Sequence, residues 1–96
     1  MQYQFEWNYK KDRENKRKYK IDFRRAATVF RDSYMITIFD YEHSDNEDRW
    51  ITLGTDENGI LLIVSHIFYR ISAAQCNIRI ISARKATKNE KKQYED

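Results

Sequence analysis

Ten residues constrain this chain more than any others. Ile60 to Tyr69 run through apolar side chains with only Ser65 and His66 between them. Ten residues are far too few for a membrane-spanning helix, which needs about 20. A short, partly β-branched run without alternation is the pattern of a central strand covered on both faces. The rest of the fold has to be assembled around that strand from 96 residues. That length predicts a single domain, residues 1–96, with a modest core.

The flanking segments supply the other layers. Tyr3, Phe5 and Trp7 alternate with Gln2, Gln4 and Glu6, the signature of a short half-buried strand. Asn8 is a helix N-cap, and the charged stretch from Tyr9 to about Tyr19 follows as a surface helix. Asp22 caps a second helix, in which Phe23, Ala26, Ala27 and Phe30 form one apolar stripe. The period then changes. Tyr34 to Phe39 reads as a strand, Asp40 to Asp48 as an acidic loop and Trp50 to Thr55 as a strand. Asp56 to Gly59 is a turn ending in Asn-Gly. After the central strand and a soft loop at Ser72 to Gln75, Asn77 to Arg84 is the last strand. Thr87 and Glu90 match a capping box that opens a C-terminal helix. The order β-α-α-β-β-β-β-α, with hairpin-length connections late in the chain, predicts an α+β fold. Its sheet is mostly antiparallel, with the helices packed on it.

Composition removes several function classes. One cysteine, Cys76, excludes a disulfide scaffold and a cysteine-based zinc site. No basic stretch precedes an apolar run at the start, so no signal peptide is expected and the cytoplasm is the expected compartment. No motif calls for a metal or another cofactor.

The net charge of +3 hides a segregated distribution. Residues 1–20 carry seven Lys or Arg against three acids, and residues 40–58 carry one Arg against seven acids. Residues 59–86 carry four basic residues and no acid. Segregation of this kind suits a polyanion or an oppositely charged protein.

A series of residues carries a resemblance along nearly the whole length. Phe5-Glu6-Trp7-Asn8 is followed by Lys11, Asn15, Lys18 and Ile21, then by Phe23, Ala26, Ala27, Val29-Phe30 and Asp32. Asp40-Tyr41-Glu42-His43-Ser44 leads to Glu47 and Arg49, then to Gly54, Gly59 and Leu61-Leu62. The most specific piece is Ile78-Arg79-Ile80-Ile81-Ser82-Ala83-Arg84-Lys85-Ala86, with Glu90 and Tyr94-Glu95 beyond it. In this order the segments resemble the BrnT family of bacterial toxins. The resemblance implies a RelE-like fold and a small ribonuclease that needs no metal. It implies a BrnA-like antitoxin that neutralises the toxin in a heterotetramer, and operator DNA met only through that antitoxin. Two positions depart from the family pattern. Lys18-Tyr19-Lys20-Ile21 stands where Lys-His-Gly-Ile is common, and Asp32-Ser33 where Asp-Pro is common.

Cleavage of RNA by its own 2′-hydroxyl needs a group that removes a proton, cations for the phosphoryl oxygens and help for the leaving oxygen. Arginine suits the second task because its planar fork binds two phosphate oxygens. Arg79 and Arg84 are the first candidates, with no acid near them in the sequence. Strict alternation puts them on opposite faces, so a bulge or strand end near Ser82-Ala83 is required to bring them together. Arg49 either projects into the same groove or pairs with Glu47 or Asp48. His43, in a polar loop, is either the proton carrier or a residue bonded to backbone. Glu47 is a base, an orienting group for His43 or a solvated loop acid. Lys11, Lys85 and Tyr94 are candidate RNA contacts, Tyr94 alternatively a packing residue. His66 reads as a satisfied core or sheet-face histidine. The leading expectation is a metal-independent endoribonuclease toxin. The alternative is a module that binds nucleic acid or an antitoxin without cutting.

Overall fold

The computed structural model describes residues 2–95. Five strands form one sheet in the order β1-β5-β4-β3-β2. They are β1 (Gln2–Trp7), β2 (Ile36–Phe39), β3 (Arg49–Thr55), β4 (Leu61–Arg70) and β5 (Gln75–Lys85). The helices are α1 (Tyr9–Tyr19), α2 (Phe23–Ala27) and α3 (Lys88–Glu95). The fold is α+β in the expected element order. All strand pairs are antiparallel except β1 with β5, which is parallel.

The apolar run is the middle strand of the five. Leu62, Val64 and His66 are buried on one side of β4, and Ile63 and Ile67 on the other. On the first side α1 and α2 pack against β5. Ile21, Phe23, Ala26, Val29 and Phe30 meet Leu62, Val64, Ile78, Ile80 and Ala83 there. Asn15 is a buried polar residue in α1. Its side-chain amide donates to the carbonyls of Ile21 and Ala83, both at 2.8 Å, and its oxygen accepts from the Ala83 amide at 3.1 Å. Both halves of that amide are satisfied, so it fixes the helix on the strand without leaving a bare buried dipole.

Local chemistry explains most boundaries. Asn8 accepts from the Lys11 amide and Asp22 from the Arg25 amide, so both caps form. The Thr87 hydroxyl accepts from the Glu90 amide, and the Glu90 carboxylate accepts from the Thr87 amide. The predicted strand Tyr34–Phe39 begins two residues late. The Asp32 side chain accepts from the Tyr34 amide and its carbonyl from Met35, which bends Ser33 to Met35 into a turn. The second helix loosens into a 3-10 turn over Thr28–Arg31. That turn lies close on β3, and a Cβ at Gly54 would come within 2.8 Å of Val29. Gly59 closes the β3–β4 turn with φ 79°.

One irregularity decides which side chains share a face. Ser65 pairs with Ser82 but His66 pairs with Ile80, so Ile81 is an extra residue in β5. Before it Cys76, Ile78 and Ile80 are buried, and after it Ala83 is. Arg79 and Arg84 therefore both point away from the helical core, although they are five residues apart.

Candidate active site

The acidic loop is shaped by its own hydroxyl. Ser44 Oγ donates to the Asp40 carbonyl and accepts from the Arg49 amide at 3.0 Å. The Asp40 amide donates to the Arg49 carbonyl at 2.9 Å. This folds the connection between β2 and β3 back on itself, with Tyr41–His43 as a single 3-10 turn. Phe39 stacks edge-on with both Tyr41 and Trp50 beneath it. Asp40, His43 and Arg49 thus arrive at one place.

There they line a cleft of about 290 Å³ with Tyr19, Ser65, Ser82 and Arg84, floored by isoleucines of β3, β4 and β5. His43 Nδ1 lies 2.9 Å from Asp40 Oδ2, and its side chain is 61% exposed. A carboxylate on Nδ1 fixes the ring and favours the tautomer whose free lone pair is on Nε2. Arg49 has no carboxylate within ion-pair distance among the described residues, so neither Glu47 nor Asp48 holds it. Its Nε is buried and has no hydrogen-bond partner. A buried guanidinium nitrogen without a partner is costly and calls for an acceptor.

Arg84 is held differently. Its two terminal nitrogens donate to the two carboxylate oxygens of Glu90, at 2.8 and 2.9 Å. These hydrogen bonds hold the Glu90 carboxyl well below the usual range. Arg79 is opposite Glu6 in the parallel register, 3.8 Å from its carboxylate, with Tyr69 under its guanidinium. The acid-free surroundings expected of both arginines are thus corrected by the fold: β1 brings one carboxylate and α3 the other. The bulge puts the two arginines on one face but not in one cleft. Arg79 lines a separate hollow with Glu6, Trp7, Asn8 and Lys11.

The remaining candidates scatter. Glu47 shares an adjoining hollow with His43 and Arg49, and its carboxylate lies 3.5 Å from the Tyr69 hydroxyl. The group that touches His43 is Asp40, not Glu47. Tyr94 donates to Asp32, which also accepts from the amide and hydroxyl of Thr55. That contact ties the end of α3 to β3. Tyr94 and Lys85 line a further hollow and do not line the cleft. His66 is the expected sheet-face histidine only by half. Its Nε2 meets Thr52 at 2.7 Å, and Thr52 in turn meets Thr37. Its Nδ1 is buried without a partner, and burial pushes its pKa down to about 4. Asp40, Tyr19, Ser65 and Ser82 are polar cleft residues that sequence reasoning missed. The three-residue spacing of Asp40 and His43 was the available signal for the first.

Among the described residues no three His, Cys, Asp or Glu side chains are grouped so as to hold a metal ion. No helix is long and apolar enough to cross a membrane.

A family model described as ribonuclease toxin, BrnT, of type II toxin–antitoxin system matches residues 7–90. Among solved structures the chain is similar to the 1.1 Å crystal structure of the Brucella abortus ribonuclease toxin, BrnT. The TM-score is 0.62 at 17% identity, over 92% of this chain and 100% of that one. At that identity the likeness is one of fold. Among curated proteins none matches the sequence significantly.

Proposed function

This chain belongs to the BrnT family of ribonuclease toxins of type II toxin–antitoxin systems, and we propose that its cleft cuts RNA without a metal ion, by attack of a 2′-hydroxyl. The observation that carries the reading is the pairing of two unlike groups in one cleft. Arg49 is held by no carboxylate among the described residues, and in the same cleft His43 is held through Nδ1 by Asp40.

The roles follow from what each atom has free. His43 Nε2 takes the proton from the 2′-hydroxyl. The 2′-oxygen bonds to phosphorus, the bond from phosphorus to the 5′-oxygen breaks, and the 5′-oxygen leaves with a proton from water or from the imidazolium. The products are a 2′,3′-cyclic phosphate and a 5′-hydroxyl. Arg49, held by no carboxylate among the described residues, brings its guanidinium to a phosphoryl oxygen as negative charge grows there. Arg84, at the other wall, offers a second cation once a phosphate competes with Glu90 for it. Asp40 acts through His43 and is a positioning residue. Glu47 stays in the adjoining hollow. Lys11 and Arg79 hold a flanking phosphate in theirs.

Membership of a type II family implies an antitoxin partner. A BrnA-like antitoxin is the proposed neutralising partner in a cytoplasmic heterotetramer that meets operator DNA through the antitoxin alone.

The test is the purified protein, freed from any partner, incubated with total RNA and EDTA. New ends should carry cyclic phosphate. Folded protein that leaves RNA intact would sink the enzyme reading in favour of a binding module. Cleavage abolished by EDTA would sink the metal-free mechanism. Arg49→Ala should lower the cleavage rate by about 10² to 10³, the usual cost of removing one donor to developing charge.

A further inference from the structure

The helix whose last residue, Tyr19, lines the cleft carries a concentrated positive charge. α1 reads Tyr-Lys-Lys-Asp-Arg-Glu-Asn-Lys-Arg-Lys-Tyr and contains no aliphatic side chain. Its one buried residue, Asn15, is spent on the strand behind it. Lys10, Lys11, Arg13, Lys16, Arg17 and Lys18 are all exposed. Among the described residues none of them lies within ion-pair distance of a carboxylate. Lys10, Arg13 and Arg17 recur at helical spacing and, with the single carboxylate of Glu14 among them, line a shallow hollow of about 350 Å³.

Each end of the helix carries an exposed aromatic ring with a cation over it. Tyr9 is 71% exposed beneath Arg13, and Tyr19 is 38% exposed beside Lys18. Tyr19 is also part of the cleft wall with Arg49 and Arg84. Cations that follow a line, with aromatic rings at intervals, are how proteins hold single-stranded nucleic acid without reading its sequence. A protein partner fits this face less well, because lysine is depleted at protein interfaces and α1 exposes Lys10, Lys11, Lys16 and Lys18.

We infer that the outward face of α1 is a track for the backbone of single-stranded RNA, with Tyr19 stacking a base where the strand enters the cleft. This rests on the proposed nuclease reading, since it supplies that cleft with its substrate. The track makes affinity depend on substrate length and on salt, and leaves base identity unread along α1.

The experiment uses the full chain and a single-stranded 2′-O-methyl oligoribonucleotide, which lacks the attacking hydroxyl and cannot be cut by the proposed chemistry. Binding is followed by fluorescence anisotropy over a salt series. The variant Lys10→Ala/Arg13→Ala/Arg17→Ala should bind at least ten-fold more weakly at low salt. Its slope of log affinity against log salt should be shallower by about 2, three phosphate contacts at roughly 0.7 each. Tyr19→Ala should bind about ten-fold more weakly with the salt slope of the wild type, since stacking releases no counterions. Circular dichroism and the melting temperature report that both variants fold. A folded triple variant with wild-type affinity and slope overturns the track. So does one that keeps RNA affinity and loses its antitoxin, which makes α1 a protein-docking face. Wild-type protein that binds through α1 yet leaves ordinary RNA intact sinks the nuclease reading and keeps the track.

Discussion

The two faces of the sheet follow opposite rules. Towards α1 and α2 the side chains are apolar and nearly every buried polar group is partnered, as Asn15 is on both sides of its amide. Away from them lie Arg49, Arg79 and Arg84, the hydroxyls of Ser65 and Ser82, and a buried guanidinium nitrogen with no acceptor. The comparison teaches that stability and chemistry are separated by strand parity alone. One residue, Ile81, carries that parity across β5. Were Ile81 to take a regular place in the ladder, Ala83 would leave the core and Arg84 would enter it.

The largest effect should therefore come from inserting one alanine between Ser82 and Ala83. The insertion moves Ala83 and its hydrogen bonds with Asn15 off the core face and turns a guanidinium into the apolar layer, away from Glu90. An unpaired buried charge alone costs about 3–5 kcal/mol. A native domain has about 5–15 kcal/mol in total, and one this small lies towards the low end. The variant should be unfolded by circular dichroism at 25 °C. A cooperative melt close to that of the wild type would show that β5 absorbs the extra residue and that parity does not sort the faces.

His66 is where the rule of the core face is weakest, and it makes that face sensitive to acid. Burial lowers its folded-state pKa to about 4, from 6.5 in an exposed chain. As pH falls, the unfolded chain takes the proton first. The stabilisation is complete above pH 6.5 and is lost as pH drops from 6.5 towards 4. The full loss is about 3 kcal/mol. Asp32, Asp56 and Glu90 also have lowered pKa values, and their contributions disappear at still lower pH, through the carboxylate range. The window between pH 6.5 and 4.5 thus isolates the histidine. Urea midpoints should fall steeply across it for the wild type and much less for His66→Gln, which keeps a donor for Thr52 and does not titrate. Equal slopes would refute the assignment.

The same contrast explains what could be read in advance. Features fixed within a few residues were legible: the unbroken apolar run of β4, the caps at Asn8 and Asp22, and the box at Thr87 and Glu90. The site was legible as a set of residue types and not as an arrangement. Arg79 looked unpaired because Glu6 reaches it only through the parallel register of β1 on β5. Arg84 looked unpaired because the carboxylate that caps α3 also turns back onto the strand. The partner of His43 was three residues away, but the loop that joins them is set by the Ser44 hydroxyl, a contact without a period to reveal it.

The smallest effect tests the hinge between the faces, where α1 ends beside the cleft. Lys20 caps this helix with φ 63° and ψ 27°, and its amide donates to the Lys16 carbonyl at 2.9 Å. A side chain in this left-handed conformation costs about 1–2 kcal/mol that glycine avoids. Against this, Lys20→Gly loses the exposed contact of Nζ with the Arg17 carbonyl at 3.2 Å and gives the unfolded chain more freedom. The net gain should be about 0.5–1 kcal/mol, a rise of a few degrees in the melting temperature for a chain of this length. Because glycine keeps the cap geometry, Tyr19 keeps its place in the cleft wall and the cleavage rate on a short RNA should hold. A lower melting temperature would mean that the Nζ contact outweighs the backbone strain. A higher one with a lost cleavage rate would mean that the end of α1 belongs to the chemical face and not only to the core.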